Sequence, residues 1–507
     1  MAAVLRQRGF RPVLLDFQLD QALLVSQTTA LHPVLVGVSI IFQIYLPRFA
    51  SLTQALRQGG ISCPIVAGGH FPSLEYAFVL ENVPSLTAVV RFEGEETLPL
   101  LTDRLIRGLP WQDLDGVAYR RDNKPYSNPP RALIADLDSL PYPERPFSLD
   151  RLLGINMAPI LASRGCPQNC SFCSIRSFYK GAPGKAVRRR HPERVVEEMV
   201  YLQNHRKVAI FLFQDDDFIP AGNHGKQWLQ QFLNELHRQG LVGKILWKIS
   251  VRADQIQAEL LADMRKAGLF FVYLGLESGN EQGLLTLNKG LSVSDNLQAV
   301  ATLKRLELPF AYGFMLIDPS STLESVRENV GFLRKIIGDG SALVNFSRMV
   351  PYAGTPIAKT LAASGRLLGS PLCPDYTLQD DRLAPFFQSM FNIIELWSTD
   401  PHSFYKQMNN IINESIVLNR FCNECKNMPS YLQDVKNCAL IVNNIIFEYV
   451  EDLCNYYDDN RFSGKTFPPL PAKKISRQVD KLIKMRNNYV LKNQKKILSR
   501  IDSLLPL

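Results

Sequence analysis

The sequence predicts an α/β protein in three parts: a doubly wound parallel sheet, a partial (β/α)6 barrel and a C-terminal helical region. Three observations predict it. Buried strand-like runs alternate with helical runs over residues 1–120, the alternation resumes from about residue 151, and after about residue 372 the pattern turns helical and rich in Asn and Lys. A chain of 507 residues is also too long for one core. The expected boundaries are 1–120, a linker over 121–150, the barrel over 151–371 and the helical region over 372–507.

In the first part, "AAVLRQRGF" reads as the end of an amphipathic helix stopped by Gly9, and "RPVLLDF" as a strand. "PVLVGVSII" is a second strand, "LPRFASLTQALRQGG" a helix, and "CPIVAGGH" a third strand ending in glycines. "LTAVVRFEGEETLPLLTDRLIRG" supplies a strand, a turn and a helix; strands and helices at this spacing indicate a parallel sheet. The chain opens inside a helix, with no strand before it. The expectation is a first strand that is missing, through truncation or loss of the element. The stretch from about 117 to 150 is polar, proline-rich and hairpin-like, which suits a linker.

The barrel strands are expected at "APILASRG", "VAIFLFQDDDF", "LWKISVR", "FFVYLGLES", "PFAYGFMLIDP" and "LVNFSRMVPY", with helices such as "HPERVVEEMVYLQNHR" between them. Functional groups of such a barrel gather at the carboxyl ends of its strands. The candidate motifs of this region stand at those ends.

Composition narrows the function classes. Residues 461–500 hold twelve Lys or Arg against the single acid Asp480, a local charge of +11; the net charge is +9, so the remainder sums to −2. The basicity therefore belongs to a tail, and a nucleic-acid partner is not expected. Ile475, Val479, Leu482 and Ile483 recur in the tail at helical spacing, which makes it a basic amphipathic helix. It packs on its own domain, or meets an anionic membrane surface or an acidic partner. Because it lies outside the barrel motifs, its removal is expected to leave the chemistry intact. No targeting signal or membrane-spanning run is legible, so a cytoplasmic location is expected, where clustered cysteines favour metals over disulfides.

Three of the nine cysteines, Cys166, Cys170 and Cys173, fall within eight positions of "ASRGCPQNCSFCSI". Four thiolates close a structural zinc or iron–sulfur site, whereas a local set of three leaves one metal position open for a substrate or cosubstrate. The spacing C-x-x-x-C-x-x-C, with Phe172 directly before Cys173, resembles the signature of the radical S-adenosylmethionine enzymes. The resemblance implies a 4Fe-4S cluster whose fourth iron chelates S-adenosylmethionine. It also implies reductive cleavage of that cosubstrate to methionine and a 5′-deoxyadenosyl radical, with electrons from an external donor such as flavodoxin or ferredoxin.

The same resemblance gives roles to other barrel residues. Asp215, Asp216 and Asp217 of "FQDDDF" stand where family members bind the methionine amine, and carboxylates suit an ammonium. Arg252 of "SVRAD", and Glu277 and Ser278 of "LGLESGN", match positions that contact the carboxylate and ribose of the cosubstrate. "GFMLIDP" resembles the strand that lies against adenine. A divalent-metal site for the three acids, ion pairing for Arg252 and Glu277, and a plain core strand are the structural alternatives.

"VGVSIIFQI", "IVAGGHFPS" and "VVRFEGEET" follow the order seen in the Rossmann-like cobalamin-binding domain of one large subfamily. Ser39, Gly68, Gly69, Gly94 and Glu95 stand at its matching positions. Gly68 and Gly69 would let the backbone approach a bulky ligand at a strand end, and Ser39 can hydrogen-bond a buried nucleotide tail. "LNKG", "DPSSTLES" and "YAGTP" extend the resemblance over roughly residues 1–370. The D-x-H-x-x-G loop of many such domains is absent, and neither His32 nor His70 matches the cobalt ligand. Cobalamin is therefore expected to bind without a histidine below the metal, or not to bind if the missing strand ruins the pocket.

The resemblance implies cobalamin-dependent methylation of an unactivated carbon or phosphorus, or a radical cyclisation or rearrangement without methyl transfer. A third reading is an idle iron–sulfur protein. Methylthio transfer to tRNA is disfavoured because the first domain holds Cys63 alone. The substrate is expected to be a small molecule or a lipid-like one, with peripheral membrane contact through the tail as an option. Cys422 and Cys425 form a C-x-x-C that reads either as a second metal pair or as core packing.

Overall fold

The computed structural model describes residues 1–16, 19–146, 148–398, 403–422, 425–459 and 467–504. The chain divides into two compact units. One comprises residues 1–148, 163–190 and 350–377, and the other residues 149–162, 191–349 and 378–507.

The first unit is built on a five-stranded sheet in the order β1 (Val36–Ser39), β2 (Ile65–Gly68), β3 (Ala88–Val90), β4 (Val117–Arg121) and β5 (Lys124–Ser127). The first three strands pair parallel and the last two antiparallel. Ile65, Val66, Ala67, Val89 and Val117 are almost fully buried, as expected for short strands covered on both faces by helices. Two expectations change here. The segment 117–127 is not part of a linker but a hairpin that extends this sheet beyond β3. Its Arg120 ties the hairpin to the turn between the helix Tyr76–Asn82 and β3 by donating to the carbonyls of Leu86 and Val83 at 2.7 and 2.9 Å.

The expected strand "RPVLLDF" does not form over residues 11–16, and Phe17 lies outside the described residues. A strand exists only where a neighbour takes its N–H and C=O groups. β1 pairs with β2 alone, and residues 11–16 lie against no strand, which leaves Val13 and Leu14 each 56% exposed. The helix expected before Gly9 is present at Ala2–Gln7. Among the described residues, β1 is the first strand of the chain.

The second unit holds a seven-stranded sheet. Six strands run parallel: β7 (Ile155–Ile160), β8 (Val208–Phe213), β9 (Leu246–Arg252), β10 (Leu269–Glu277), β11 (Phe310–Ile317) and β12 (Ser347–Arg348). They lie side by side in chain order, and β6 (Arg151–Leu152) adds an antiparallel edge on β7. This is the partial (β/α)6 barrel read from the sequence. "VAIFLF" becomes β8 because a strand buried on both faces needs a continuous apolar run. Behind it Trp247 packs against Phe213, Phe218 and Phe232, and its indole N–H donates to the Ala267 carbonyl at 3.0 Å.

The C-terminal helices belong to the same compact unit as the barrel and share its core. Phe386, Phe447, Leu453, Val479 and Leu482 are all at most 1% exposed in one cluster with the strand residues. The basic helix runs from Ala472 to Leu504. It buries Ile475, Val479, Leu482, Tyr489 and Ile497, while Arg486 forms a bidentate pair with Glu414. The expectation that the tail is dispensable is therefore corrected. Each of these large side chains contributes about 1.5–3 kcal/mol on burial, and five together rival the whole stability of a domain. Deletion of residues 472–507 is expected to yield aggregated or molten protein, read by soluble expression and circular dichroism; a cooperative thermal transition at the wild-type temperature would refute it.

Candidate active site

The carboxyl ends of β8, β9 and β10 carry most of the predicted barrel residues. Beyond β8, "DDD" alternates as an extended chain must: Asp215 and Asp217 are 3% and 4% exposed, whereas Asp216 is exposed. Asp215 accepts the Ala162 backbone N–H at 3.1 Å, and Asp217 accepts from the Gln255 side chain at 2.9 Å. These two acids pin neighbouring strand ends, and Asp216 alone of the three presents its carboxylate outward.

Arg252, the last residue of β9, is 6% exposed. It donates from Nε to Asp254 at 3.1 Å and from Nη2 to the Lys289 carbonyl at 2.8 Å. Lys289, in the "LNKG" turn, in turn pairs with Glu277 through Nζ–Oε1 at 3.0 Å. Arg252, Lys289 and Glu277 thus form one connected buried set of two cations and a carboxylate.

Glu277 ends β10 at φ +66°, in the left-handed region, where the register with β11 slips between Gly275 and Glu277. That bulge turns its carboxylate over the strand face. Space for it is made by Gly275, where a Cβ would stand 2.8 Å from Lys289 Nζ and 2.9 Å from Glu277 Oε1.

Ser278 departs from its expected role. It is fully buried, accepts the Asn280 N–H at 3.1 Å and lies 3.2 Å from Asn329 Oδ1, so it shapes the turn after β10 rather than offering a hydroxyl to a ribose. Asn296 supports the same turn by donating to the carbonyls of Leu276 and Ser278 at 3.1 and 3.0 Å. Strand "GFMLIDP" is present as β11, followed by buried Asp318, which accepts the Ser320 N–H at 2.7 Å.

The three clustered cysteines lie in the first unit, on the loop 165–173. Cys170 is 9% exposed, Cys166, Cys173 and Phe172 are half-buried, and none is in a disulfide. Cys173 is the N-cap of the helix Ser174–Lys180. The loop is fastened at both sides: Ile357 N–H donates to the Ser171 carbonyl at 3.0 Å, and Ser177 Oγ to the Gly354 carbonyl at 2.9 Å. This gives the "YAGTP" segment a structural purpose. Tyr352 of that segment has its phenol pKa raised by burial and by the Cys173 thiolate. No group of three His, Cys, Asp or Glu side chains among the described residues forms a ready-made metal cage. The fit of this loop to a cluster lies in its donor chemistry, three soft thiols on one short anchored turn.

In the same unit Ser39 and Gly68 face each other as register partners at the carboxyl ends of β1 and β2. Gly69 follows at φ +102°, and a Cβ there would meet the Ile40 carbonyl at 2.5 Å, so only glycine fits. Gly94 packs closely on the Val90 side chain. Glu95 is taken by Arg164 at 2.7 Å and is 11% exposed, so it serves an internal ion pair rather than a ligand. Arg164 also pairs with Glu93 at 2.8 Å, and Glu93 with Arg188 at 2.7 Å. Burial opposes ionisation of Glu93, but Arg188 and Arg164 overcome it and hold its carboxyl below the usual range.

Sequence reasoning missed Glu93, Arg164 and Arg188, whose partners are far apart in the chain, and Lys289, although its "LNKG" turn was noted. His70 stacks on Phe178 with ring centroids 4.2 Å apart, and burial lowers its pKa. Cys422 and Cys425 are 6% and 4% exposed within the core, and burial followed by the Cys425 hydrogen bond pushes the Cys422 thiol up to about 12. Cys438 and Cys454 are buried in that core as well. Asn423 and Glu424 lie outside the described residues.

Comparison with known proteins matches two family models. Residues 160–333 match the Radical SAM superfamily, and residues 1–102 match the B12 binding domain. The first model implies a 4Fe-4S cluster and S-adenosylmethionine, and the second cobalamin. An uncharacterized methyltransferase of Pyrococcus horikoshii is 29% identical over 307 residues, which are 60% of this chain and 64% of that protein. The anaerobic magnesium-protoporphyrin IX monomethyl ester cyclase of Cereibacter sphaeroides is 29% identical over 319 residues, 58% of this chain and 48% of that protein. The chain thus spans less than two thirds of these relatives' length, 64% of the first and 48% of the second. The solved structure of the cobalamin-dependent S-adenosylmethionine radical enzyme OxsB with aqua-cobalamin bound superposes with a TM-score of 0.64 at 16% identity, covering 96% of this chain and 74% of that one. At that identity it shows a shared fold. No described helix is long and apolar enough to cross a membrane.

Proposed function

Since the chain belongs to the cobalamin-binding radical S-adenosylmethionine enzymes, we propose that it methylates an unactivated carbon or phosphorus of a small molecule. The observation that carries this reading is the pairing, on one chain, of a B12 binding domain with a radical SAM domain whose strand ends hold the Arg252–Lys289–Glu277 set. The bound groups would supply a one-electron cleavage of the cosubstrate and a transferable methyl group, chemistry that reaches C–H bonds no general base can ionise.

The residues of the chain prepare that chemistry. Cys166, Cys170 and Cys173 are the thiolates that would hold three irons. Asp216 offers the outward carboxylate for an ammonium, and Arg252 and Glu277 offer a cation and an anion already oriented by Lys289. Asp215, Asp217 and Ser278 are positioning residues that hold strand ends and turns. Ser39, Gly68 and Gly69 would admit cobalamin at the end of the first sheet, with His70 occupied in its stack on Phe178 and Glu95 in its pair with Arg164. Electrons come from an external protein donor, and the solvent face of the basic helix is available to an acidic carrier or an anionic surface.

A second reading is oxidative ring closure without methyl transfer, and it is favoured by the similarity to the magnesium-protoporphyrin ester cyclases. The separating experiment is anaerobic. The cluster is reconstituted, cosubstrate and reductant are added with and without methylcobalamin, and both nucleosides are quantified by mass spectrometry. 5′-Deoxyadenosine together with cobalamin-dependent S-adenosylhomocysteine is expected. 5′-Deoxyadenosine alone, from protein with measured bound cobalamin, would overturn methyl transfer in favour of cyclisation.

A further inference from the structure

A cleft of about 540 Å³ opens on the inner face of the second unit's sheet, within the size range of small-molecule sites. Its walls are mostly apolar: Leu212, Phe271, Pro309 and Ala311 from the strand side, Ile412 and Ile416 from the helix Phe404–Phe421. Among these apolar groups stands one ammonium, Lys248.

The position of Lys248 follows from the strand register. It lies between Leu212 of β8 and Phe271 of β10 in one lateral row. Because 248 and 252 differ by an even number on an unbroken stretch of β9, Lys248 and Arg252 share a face. At the rise of a strand they stand about 13 Å apart along it. The cleft therefore runs beneath the carboxyl-end residues of the candidate active site.

The electrostatics of the cleft are unbalanced. Lys248 is half-buried and has no hydrogen-bond or ion-pair partner among the described residues. Burial lowers its pKa, and no carboxylate opposes that. The one carboxylate lining the cleft, Glu414, is engaged by Arg486 at 2.6 and 2.9 Å. Opposite Lys248, the helix Phe404–Phe421 presents Tyr405, Asn409, Ile412, Asn413 and Ile416, a single stripe at helical spacing. Asn409 and Asn413 are half-buried, and their amides have no protein partner among the described residues. The cleft also receives the Tyr273 phenol, whose pKa burial and the nearby Glu277 push up to about 12, so it stays a neutral donor.

A half-buried ammonium without a counter-ion, neutral amides and a phenol in an apolar cleft are complementary to an apolar body ending in an acid. Arg151 of the edge strand β6 also lines the cleft, but it is exposed and its Nε donates to Asn156 at 3.0 Å, so Lys248 is the lining cation without a partner among the described residues, and one such cation suits a monoanion better than a phosphate dianion. We propose that this cleft binds the carboxylate end of an apolar substrate, with Lys248 as its counter-ion and Asn409, Asn413 and Tyr273 as hydrogen-bond donors. That the occupant is the substrate rests on the radical function proposed above; the preference of the cleft for a carboxylate does not.

The test is isothermal titration of the reconstituted full chain, without reductant, using octanoate, 1-octanol and octylamine as length-matched probes. Octanoate is expected to bind at one site at least about tenfold tighter than octanol, the ratio that one charge-assisted hydrogen bond supplies. Lys248→Met should remove that preference while leaving octanol binding in place, and Lys248→Arg should retain it. Lys248→Met removes a desolvated charge without a partner, so its melting temperature is expected to equal or exceed that of the wild type, which guards against loss by unfolding. Equal binding of octanoate and octanol by the wild type, or undiminished octanoate binding by Lys248→Met, would overturn the proposal. Because no turnover occurs, either result leaves the radical reading untouched, and the nucleoside experiment above tests that reading separately.

Discussion

Alanine at Cys166, Cys170 or Cys173 is expected to abolish both the brown absorbance of the reconstituted protein and the reductive cleavage of S-adenosylmethionine. An iron–sulfur cluster held by three thiolates has no spare protein ligand, so loss of any one leaves two attachment points on a loop otherwise anchored by Ile357 and Ser177. The built-in control is the other C-x-x-C. Cys422 and Cys425 are buried in the helical core with the Cys422 thiol pushed up to about 12, a state unsuited to ligation. Cys422→Ala and Cys425→Ala should therefore keep absorbance and cleavage. Cleavage retained in any of the first three variants, or lost in both of the latter with the fold intact, would refute the assignment.

Glu277→Ala is expected to destabilise the second unit by about 3–5 kcal/mol, because it strands the Lys289 ammonium in a site where its side chain is 6% exposed. The damage should extend to cosubstrate use, since the Lys289 carbonyl also holds Arg252. The double variant Glu277→Gln, Lys289→Met removes both charges and should recover most of the stability. It should not recover cleavage if Glu277 and Arg252 contact the cosubstrate. Denaturant unfolding and nucleoside quantification read the two effects apart. A loss below about 1 kcal/mol in the single variant would show that the pair is solvated and of little weight, and full cleavage in the double variant would make it structural only.

Much of this was legible in the sequence because it is written in local spacing. The cysteine loop needs eight consecutive positions, "DDD" and "LGLES" mark strand ends by themselves, and continuous apolar runs such as "VAIFLF" state that both faces of a strand are covered. The six parallel barrel strands and the first helix follow from such runs. What the sequence misjudged depended on partners. "RPVLLDF" has the composition of a strand, yet no neighbouring strand takes its hydrogen bonds, and composition cannot show that. Glu95 and Ser278 stand at the expected positions, but Arg164, from 69 residues away, and Asn329, from 51 residues away, have claimed them.

The basic tail and the cleft make the same distinction at a larger scale. Charge counting located the basicity on one helix and helical spacing marked its apolar face; only packing showed that this face completes the core of the barrel unit. Lys248 was one cation among many in the sequence, inside a run that reads simply as a strand. Its isolation became visible once the register set it between Leu212 and Phe271 and a helix some 160 residues later brought Asn409 and Asn413 across from it. The sequence by itself determined most of the elements, the cysteine loop and the family of chemistry, because periodicity and short motifs are properties of neighbouring residues. Which groups are paired, which are buried and which face a ligand were decided by tertiary structure, because desolvation and ion pairing act between residues that only the fold brings together.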